Sequence, residues 1–430
     1  MSGLSGSGVL AIMGSGETSP TMVTVHRAIV ARLRDRPGRA VLLDTPYAFQ
    51  ENVADISAKA IAYFRRSVGL TVQVCPTPSE EDPAVSGRDT AAIRTADWVF
   101  AGPGSPTYAL SRWTNGPTAA ALRDRIRHGR GLTVFASAAA ATMGRTALPV
   151  YEIYKAGLAP HWVGGLNMLE PLGLDVTVIP HYDNTEGGTH DTRYCYLGER
   201  RLAHLEHQLP PGTAVLGVDE HTAVIFDQDR SDVEVTGRGA LTVRRAGNST
   251  VLPAGTRLGL AELRALTRNG PHSVHLARTE RAVATKPAHP PLTLVEITRS
   301  GEAAFAAAHA GRDAAAMVDA ILTLETAITD WAGDTEEDEG TEQSRAILRD
   351  LILRLGDAVA PDALHHLRPA VEPLLTVRRQ LRDQGSYAQA DAIRDALIAA
   401  GLTLHDTPQA THWSVESPTH SHDPDHAADT

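Results

Sequence analysis

Residues 131–144 read Gly131-Leu-Thr-Val-Phe-Ala-Ser137-Ala-Ala-Ala-Ala-Thr-Met-Gly144. A β-branched run passes through one serine directly into an alanine-rich stretch, so a strand, a tight turn and a helix start follow one another within fourteen residues. Such a turn holds a hydroxyl above the sheet, with the next backbone N–H groups and the positive helix end facing the same space. An anionic tetrahedral intermediate needs that arrangement. Without context, a serine in front of a helix reads as an N-cap.

The context extends in both directions. Strands are expected at Val9–Met13, Arg39–Leu43, Thr71–Cys75, Asp97–Ala101, Leu132–Phe135, Val176–Ile179 and Ala214–Val218, with amphipathic segments such as Val23–Leu33, Val53–Arg66 and Thr118–His128 between them. Alternating strands and helices predict an α/β domain over residues 8–270, a doubly wound, mostly parallel sheet whose site lies at the carboxyl ends of its strands. After Asp219 the pattern is strand-only (Ala223–Phe226, Val233–Val235, Leu241–Arg244), which predicts an antiparallel edge extension of that sheet. Residues 271–300, rich in Pro, His and polar residues, read as a linker. A small all-α domain is expected over 301–413, with helices at Gly301–Ala332, Thr341–Leu355, Pro369–Asp383 and from Tyr387 to Ala400. The acidic run 333–340 reads as a solvated loop and residues 414–430 as a disordered tail.

A chain of 430 residues requires more than one such domain. The net charge of −11 excludes a generally basic, phosphate-coating protein, yet the average hides a split. Residues 311–430 carry 9 Arg against 22 Asp and Glu, a balance of −13, and the other 310 residues balance at +2. Two cysteines, Cys75 and Cys195, are too few for a disulfide framework or a four-cysteine zinc site, and a cytoplasmic location is the default. The start reads as neither a signal peptide nor a membrane anchor, and no apolar run reaches the roughly 20 residues of a membrane span. His181, His190 and Asp183 follow no standard metal spacing, the Gly14-Ser-Gly16 turn is too short for a dinucleotide fingerprint, and no phosphate-binding Gly-Lys loop occurs. No metal, no cofactor and no membrane partner are therefore expected.

Several ordered motifs surround the serine: Met13-Gly-Ser-Gly-Glu17, Leu43-Asp-Thr-Pro46, Phe100-Ala-Gly-Pro-Gly-Ser-Pro-Thr-Tyr108, Ile179-Pro-His-Tyr182 and Gly217-Val-Asp-Glu-His-Thr-Ala223. With the elbow, they resemble the peptidase E and cyanophycinase family of serine peptidases, over roughly residues 8–245. The resemblance implies a class I glutamine amidotransferase-like fold, with Ser137 as nucleophile, His181 as general base and Glu152 as the acidic third member. Asp183, Glu186 and Asp191 are nearby alternatives for the acid. It implies oxyanion donors at Ala138 and at Gly102 or Gly104, since Pro103 between them has no N–H. It also places Arg193 where a substrate carboxylate would be held. The elbow departs from the family at Phe135 and Ala139, where glycine is usual, and the bulk of Phe135 opposes a tight turn.

The last helices, with Arg378, Ala390-Asp391, Ile393-Arg-Asp395, Leu397, Gly401, Leu404, Asp406-Thr-Pro408 and Trp413, resemble the C-terminal segment of cysteinyl-tRNA synthetases. The expectation is a serine hydrolase that cleaves a small peptide or an isopeptide-like amide through an acyl-enzyme on Ser137. The alternative is a catalytically silent binding protein linked to tRNA or aminoacyl-tRNA through the helical domain. tRNA is the second partner considered, although the acidity of that region opposes phosphate contact. A homo-oligomer is left open.

Overall fold

The computed structural model describes residues 8–33, 37–77, 90–187, 190–270, 291–334, 340–359, 363–407 and 410–415. Strands form at β1 (Val9–Met13), β2 (Ala40–Leu43), β3 (Val72–Cys75), β4 (Trp98–Ala101), β5 (Leu132–Ala136), β6 (Thr146–Ala147), β7 (Val163–Gly164), β8 (Val176–Ile179) and β9 (Ala214–Val218). They continue with β10 (Thr222–Asp227), β11 (Asp232–Gly237), β12 (Ala240–Arg245), β13 (Asn248–Pro253) and β14 (Arg257–Gly259). The first five pair in parallel in the order β3-β2-β4-β5-β1. β10, β11 and β14 continue the same sheet antiparallel beyond β1.

Alternate residues of the parallel strands enter two different cores. Leu10, Ile12, Val41, Leu43, Val99 and Phe135 belong to one cluster, and Val9, Ala11, Leu42, Trp98, Phe100 and Val134 to the other. Both faces are buried, so these strands read as continuous apolar runs rather than polar–apolar alternations. Helices Val23–Val30 and Val53–Tyr63 cover one face, contributing Val25, Ile29 and Ala60 to its cluster.

The strands after Asp219 do not all extend the main sheet. β12 and β13 join β9 and β8 in a separate four-stranded sheet of order β13-β12-β9-β8, in which β8 and β9 are parallel. Its inward residues Val178, Leu216, Val218, Leu241 and Val243 share the cluster of Leu10 and Phe135. An alternating strand shows which residues face a core but not which sheet supplies the partner strand.

In the helical part, the stretch expected as one helix is two, Leu294–Ala310 and Ala314–Trp331. Arg312 adopts a left-handed φ of 54° between them, and Asp313 Oδ1 accepts the N–H of Ala316 at 3.0 Å, so Gly311-Arg-Asp313 is a stop and a fresh N-cap. The first of these helices begins inside the expected linker; residues 271–290 of that linker, 335–339 of the acidic run and 416–430 of the tail lie outside the described residues. The helix expected to start at Pro369 runs from Ala363 to Asp383 and carries Pro369 and Pro373 inside it, one turn apart.

The described residues up to Phe305, with Asp319–Arg349, form one compact unit; Ala306–Val318 and the described residues from Asp350 onward form another. In the second, helix Tyr387–Ala399 and the hairpin of β15 (Leu402–Asp406) and β16 (Thr411–Val415) gather Val371, Leu397, Leu402 and Leu404 into a small core. Arg378 holds the hairpin, donating to Asp406 Oδ1 and Oδ2 at 2.7 and 2.8 Å.

Candidate active site

β5 ends at Ala136 in an extended conformation and the helix Ser137–Ala141 begins at once. Ser137 itself has a φ of +46°, a left-handed backbone that costs a non-glycine residue of order 1–3 kcal/mol. The sheet holds it there, because β5 is hydrogen-bonded on one side to β1 and on the other to β4. The turn aims Oγ at a histidine: Ser137 Oγ lies 3.0 Å from His181 Nε2.

His181 follows β8 and Glu220 follows β9, and the parallel register Ile179↔Gly217 brings those two strand ends side by side. His181 Nδ1 lies 3.0 Å from Glu220 Oε1. The same carboxylate oxygen accepts from Asn184 Nδ2 at 3.0 Å. Burial pushes the Glu220 carboxyl up, but the hydrogen bond and charge of His181 and the Asn184 amide outweigh it and leave it below its usual value. The acid on the imidazole is thus Glu220, not Glu152. Glu152 sits in the helix Val150–Tyr154 and accepts the hydroxyl of Thr107 at 2.7 Å. Of the three alternatives, Asp183 Oδ1 accepts the backbone N–H of Glu220 at 2.7 Å, Glu186 accepts the Tyr196 hydroxyl at 2.7 Å, and Asp191 pairs with Arg193. Glu220 stands inside the motif Gly217–Ala223, so its signal was a carboxylate directly after a strand parallel to the one that delivers the histidine.

Ser137, Ala138 and Gly104 line a cleft of about 410 Å³ with His181 and Glu220; Gly102 is not among its lining residues. The carbonyl of Gly102 instead accepts the N–H of Ala139 at 3.2 Å, tying the glycine turn to the elbow helix. Gly104 has a φ of 130°, and a Cβ there would meet the Pro46 carbonyl oxygen at 2.1 Å, so the Leu43–Pro46 motif closes against a position only glycine fits. Of the three expected backbone donors, Ala138 and Gly104 thus line the cleft. The bulk of Phe135 does not disturb the turn. Its ring points into the core, edge-to-face with Trp113 at 6.2 Å. Ala139 is fully buried.

Arg193 is not placed to hold a substrate. Its Nε and Nη2 donate to Asp191 at 2.8 and 2.9 Å, its guanidinium lies over Tyr194, and it does not line the cleft. Lys155 does, together with Tyr151, Tyr154 and Tyr196; Tyr154 and Tyr196 stack with ring centroids 4.8 Å apart. Among the described residues no three His, Cys, Asp or Glu side chains gather as a metal site would require. Cys75 and Cys195 are both buried. Two further carboxyls, Asp183 and Asp219, adjoin Glu220. Burial and the nearby Asp183 push Asp219 up to about 7, and burial raises Asp183.

Comparisons with known proteins divide along the chain. The family of cysteinyl-tRNA ligase anticodon binding domains matches residues 364–413. The cysteine–tRNA ligase of Salinibacter ruber is 48% identical over 48 residues, 11% of this chain and 9% of the ligase. That of Leifsonia xyli is 42% identical over 62 residues, 14% and 12%. The chain thus spans only about a tenth of the length of the curated relatives it matches. Among solved structures, a peptidase from an acI-B1 actinobacterium is similar at 18% identity and a TM-score of 0.45, covering 59% of this chain and 97% of the peptidase. A putative peptidase E protein from Listeria monocytogenes is similar at 16% identity and a TM-score of 0.38, covering 54% and 98%.

Proposed function

We propose that the α/β domain is a serine hydrolase that cleaves a small peptide or isopeptide-like amide through an acyl-enzyme on Ser137. The observation that carries this reading is the unbroken chain from Ser137 Oγ to His181 Nε2 to Glu220 at 3.0 Å per step, opening on a cleft. His181 takes the Ser137 proton as Oγ attacks the substrate carbonyl carbon. Charge develops on the carbonyl oxygen, where the N–H groups of Ala138 and Gly104 are the available donors. Glu220 fixes the imidazole tautomer and stabilises the imidazolium. The C–N bond breaks as His181 returns the proton to the leaving amine, and a water activated by the same histidine releases the acid. The cleft volume lies in the range of small-molecule sites, which favours a short substrate over a folded protein. Lys155 is the lysine or arginine that lines it, so it takes the place expected for Arg193 as the group to meet a substrate carboxylate.

A fluorophosphonate probe labels Ser137 in the full chain on this reading, and Ser137→Ala abolishes the label. A folded wild-type protein that takes no label would sink it.

The match to cysteinyl-tRNA ligase anticodon binding domains favours a second reading, in which the helical module contacts tRNA. Arg378, the deepest cation in that module, is committed to Asp406 within its own fold. Phosphate contact would fall to exposed neighbours such as Arg379.

A further inference from the structure

We infer that Trp331 and Asp334, from the helical segment that follows the α/β domain, are positioning residues for Glu220, acting through His221 and the loop that follows β1. The inference rests on the reading of Ser137 as a nucleophile served by His181 and Glu220. The residue after Glu220 is His221, whose backbone is left-handed at φ 51° and which is 5% exposed. Its ring fills a socket. Nδ1 lies 2.8 Å from Thr21 Oγ1 and 3.3 Å from Ser19 Oγ, and a Cβ on Gly16 would come within 2.3 Å of it. The wall of that socket is Trp331, itself 4% exposed, whose ring meets His221 edge-to-face at 5.9 Å. Three residues further on, Asp334 Oδ1 accepts the hydroxyl of Thr18 at 2.5 Å, so the same segment also grips the loop from which Ser15 reaches the cleft.

The mechanical path is short. Gly14 N–H donates to the Thr222 carbonyl at 3.0 Å, which ties the loop after β1 to the turn that carries Glu220. A left-handed non-glycine backbone persists only while its surroundings hold it there, so loss of the ring packed on His221 frees the 219–222 turn to relax. Glu220 then leaves the 3.0 Å contact with His181. Misplacement of a catalytic group by about 1 Å costs roughly a hundredfold in rate. Residues 319–349 share a compact unit with the α/β domain, although their sequence reads as part of the helical domain. A hydrolase site whose acid is braced by that segment is incomplete without it.

The test compares wild type, Trp331→Ala, Trp331→Phe and Asp334→Asn as full chains, reading the fluorophosphonate labelling rate alongside amide hydrogen exchange of peptides covering 217–223. Trp331→Ala should label about 10- to 100-fold more slowly and exchange faster at 217–223, with peptides covering β4 unchanged. Trp331→Phe should return the rate to within about threefold, since an aromatic edge is restored. A folded Trp331→Ala protein with wild-type labelling and wild-type exchange overturns the inference. If Trp331→Ala fails to fold, Asp334→Asn decides: faster exchange at 14–22 and 217–223 with slower labelling supports the brace, and unchanged values reject it. If wild type takes no label, the nucleophile reading falls by itself. The exchange comparison then judges the brace alone, kept if 217–223 is loosened in Trp331→Ala and discarded if it is not.

Discussion

On the proposed reading, an imidazole that takes a proton from Ser137 and hands it to a leaving amine works only while its Nδ1–H is held, and Glu220 is the group within reach of that nitrogen. Glu220→Gln keeps the shape but presents an amide that can stabilise the wrong tautomer. The expected outcome is a fall of about 10²–10⁴ in labelling or turnover rate with little change in apparent substrate affinity. Glu152→Gln, at the position the family resemblance favoured, should stay within about threefold, because that carboxylate serves Thr107. Measuring both variants in one assay separates the two assignments. The meeting of Ser137 with His181 was legible because each residue sits at the end of an apolar run, where a parallel sheet gathers its strand ends. The acid was not, because three carboxylates lie within ten residues of His181 while the one that reaches it is 39 residues away. Only the pairing of β8 with β9 makes that separation short. Arg193 was misplaced for a related reason: sequence shows a cation near the site but not the Asp191 that occupies it.

At the scale of the element, the β9–β10 turn concentrates negative charge in Asp219 and Glu220, with Asp183 against them. Asp219 is pushed up to about 7 from an ordinary aspartate value near 3.8. Its folded pKa lies above its unfolded one, so between about pH 4 and 7 the folded protein holds a proton that the unfolded chain releases. Stability from this group is therefore present at low pH and is lost as pH rises through 7. Asp219→Asn should raise the melting temperature at pH 8 relative to wild type, raise it by less at pH 5 and leave it nearly unchanged at pH 4. A larger gain at pH 5 would reverse the assignment. The strand bearing the elbow has its own test in Phe135, whose ring fills core space beside Trp113. Phe135→Ala should destabilise the domain by about 3–5 kcal/mol in urea unfolding. Phe135→Leu should cost less and keep the elbow reactive. Most parallel strands could be placed from the sequence because burial on both faces writes them as apolar runs. The transfer of β12 and β13 to a second sheet could not, since partner choice is a tertiary matter that an amphipathic strand leaves open.

Over the whole molecule, the charge split predicts how the two parts behave toward nucleic acid. No helix among the described residues is long and apolar enough to cross a membrane. The −13 balance of residues 311–430 lies outside residues 364–413, the part similar to an anticodon binding domain, which carries five Arg against five Asp and Glu, and Arg378 is withdrawn from its surface by Asp406. Arg382 and Arg394 also lie 3.6 and 3.4 Å from that carboxylate, so one aspartate draws on three of the local arginines. Arg379 is left exposed beside them. Adjacent residues should therefore respond in opposite ways. Arg378→Ala should lower the stability of the helical module by about 2–3 kcal/mol, below the full cost of breaking a buried pair because Asp406 is 27% exposed. Arg379→Ala should leave stability unchanged within about 0.5 kcal/mol. If the module contacts tRNA, at most three phosphates are within the means of Arg379, Arg382 and Arg394. Filter binding across a salt series should then give a slope no steeper than about −2 in log affinity against log salt, as single-stranded contacts require. Arg379→Ala should flatten that slope by close to one contact. A steep slope that survives Arg379→Ala would move the contact away from these three arginines to another part of the chain.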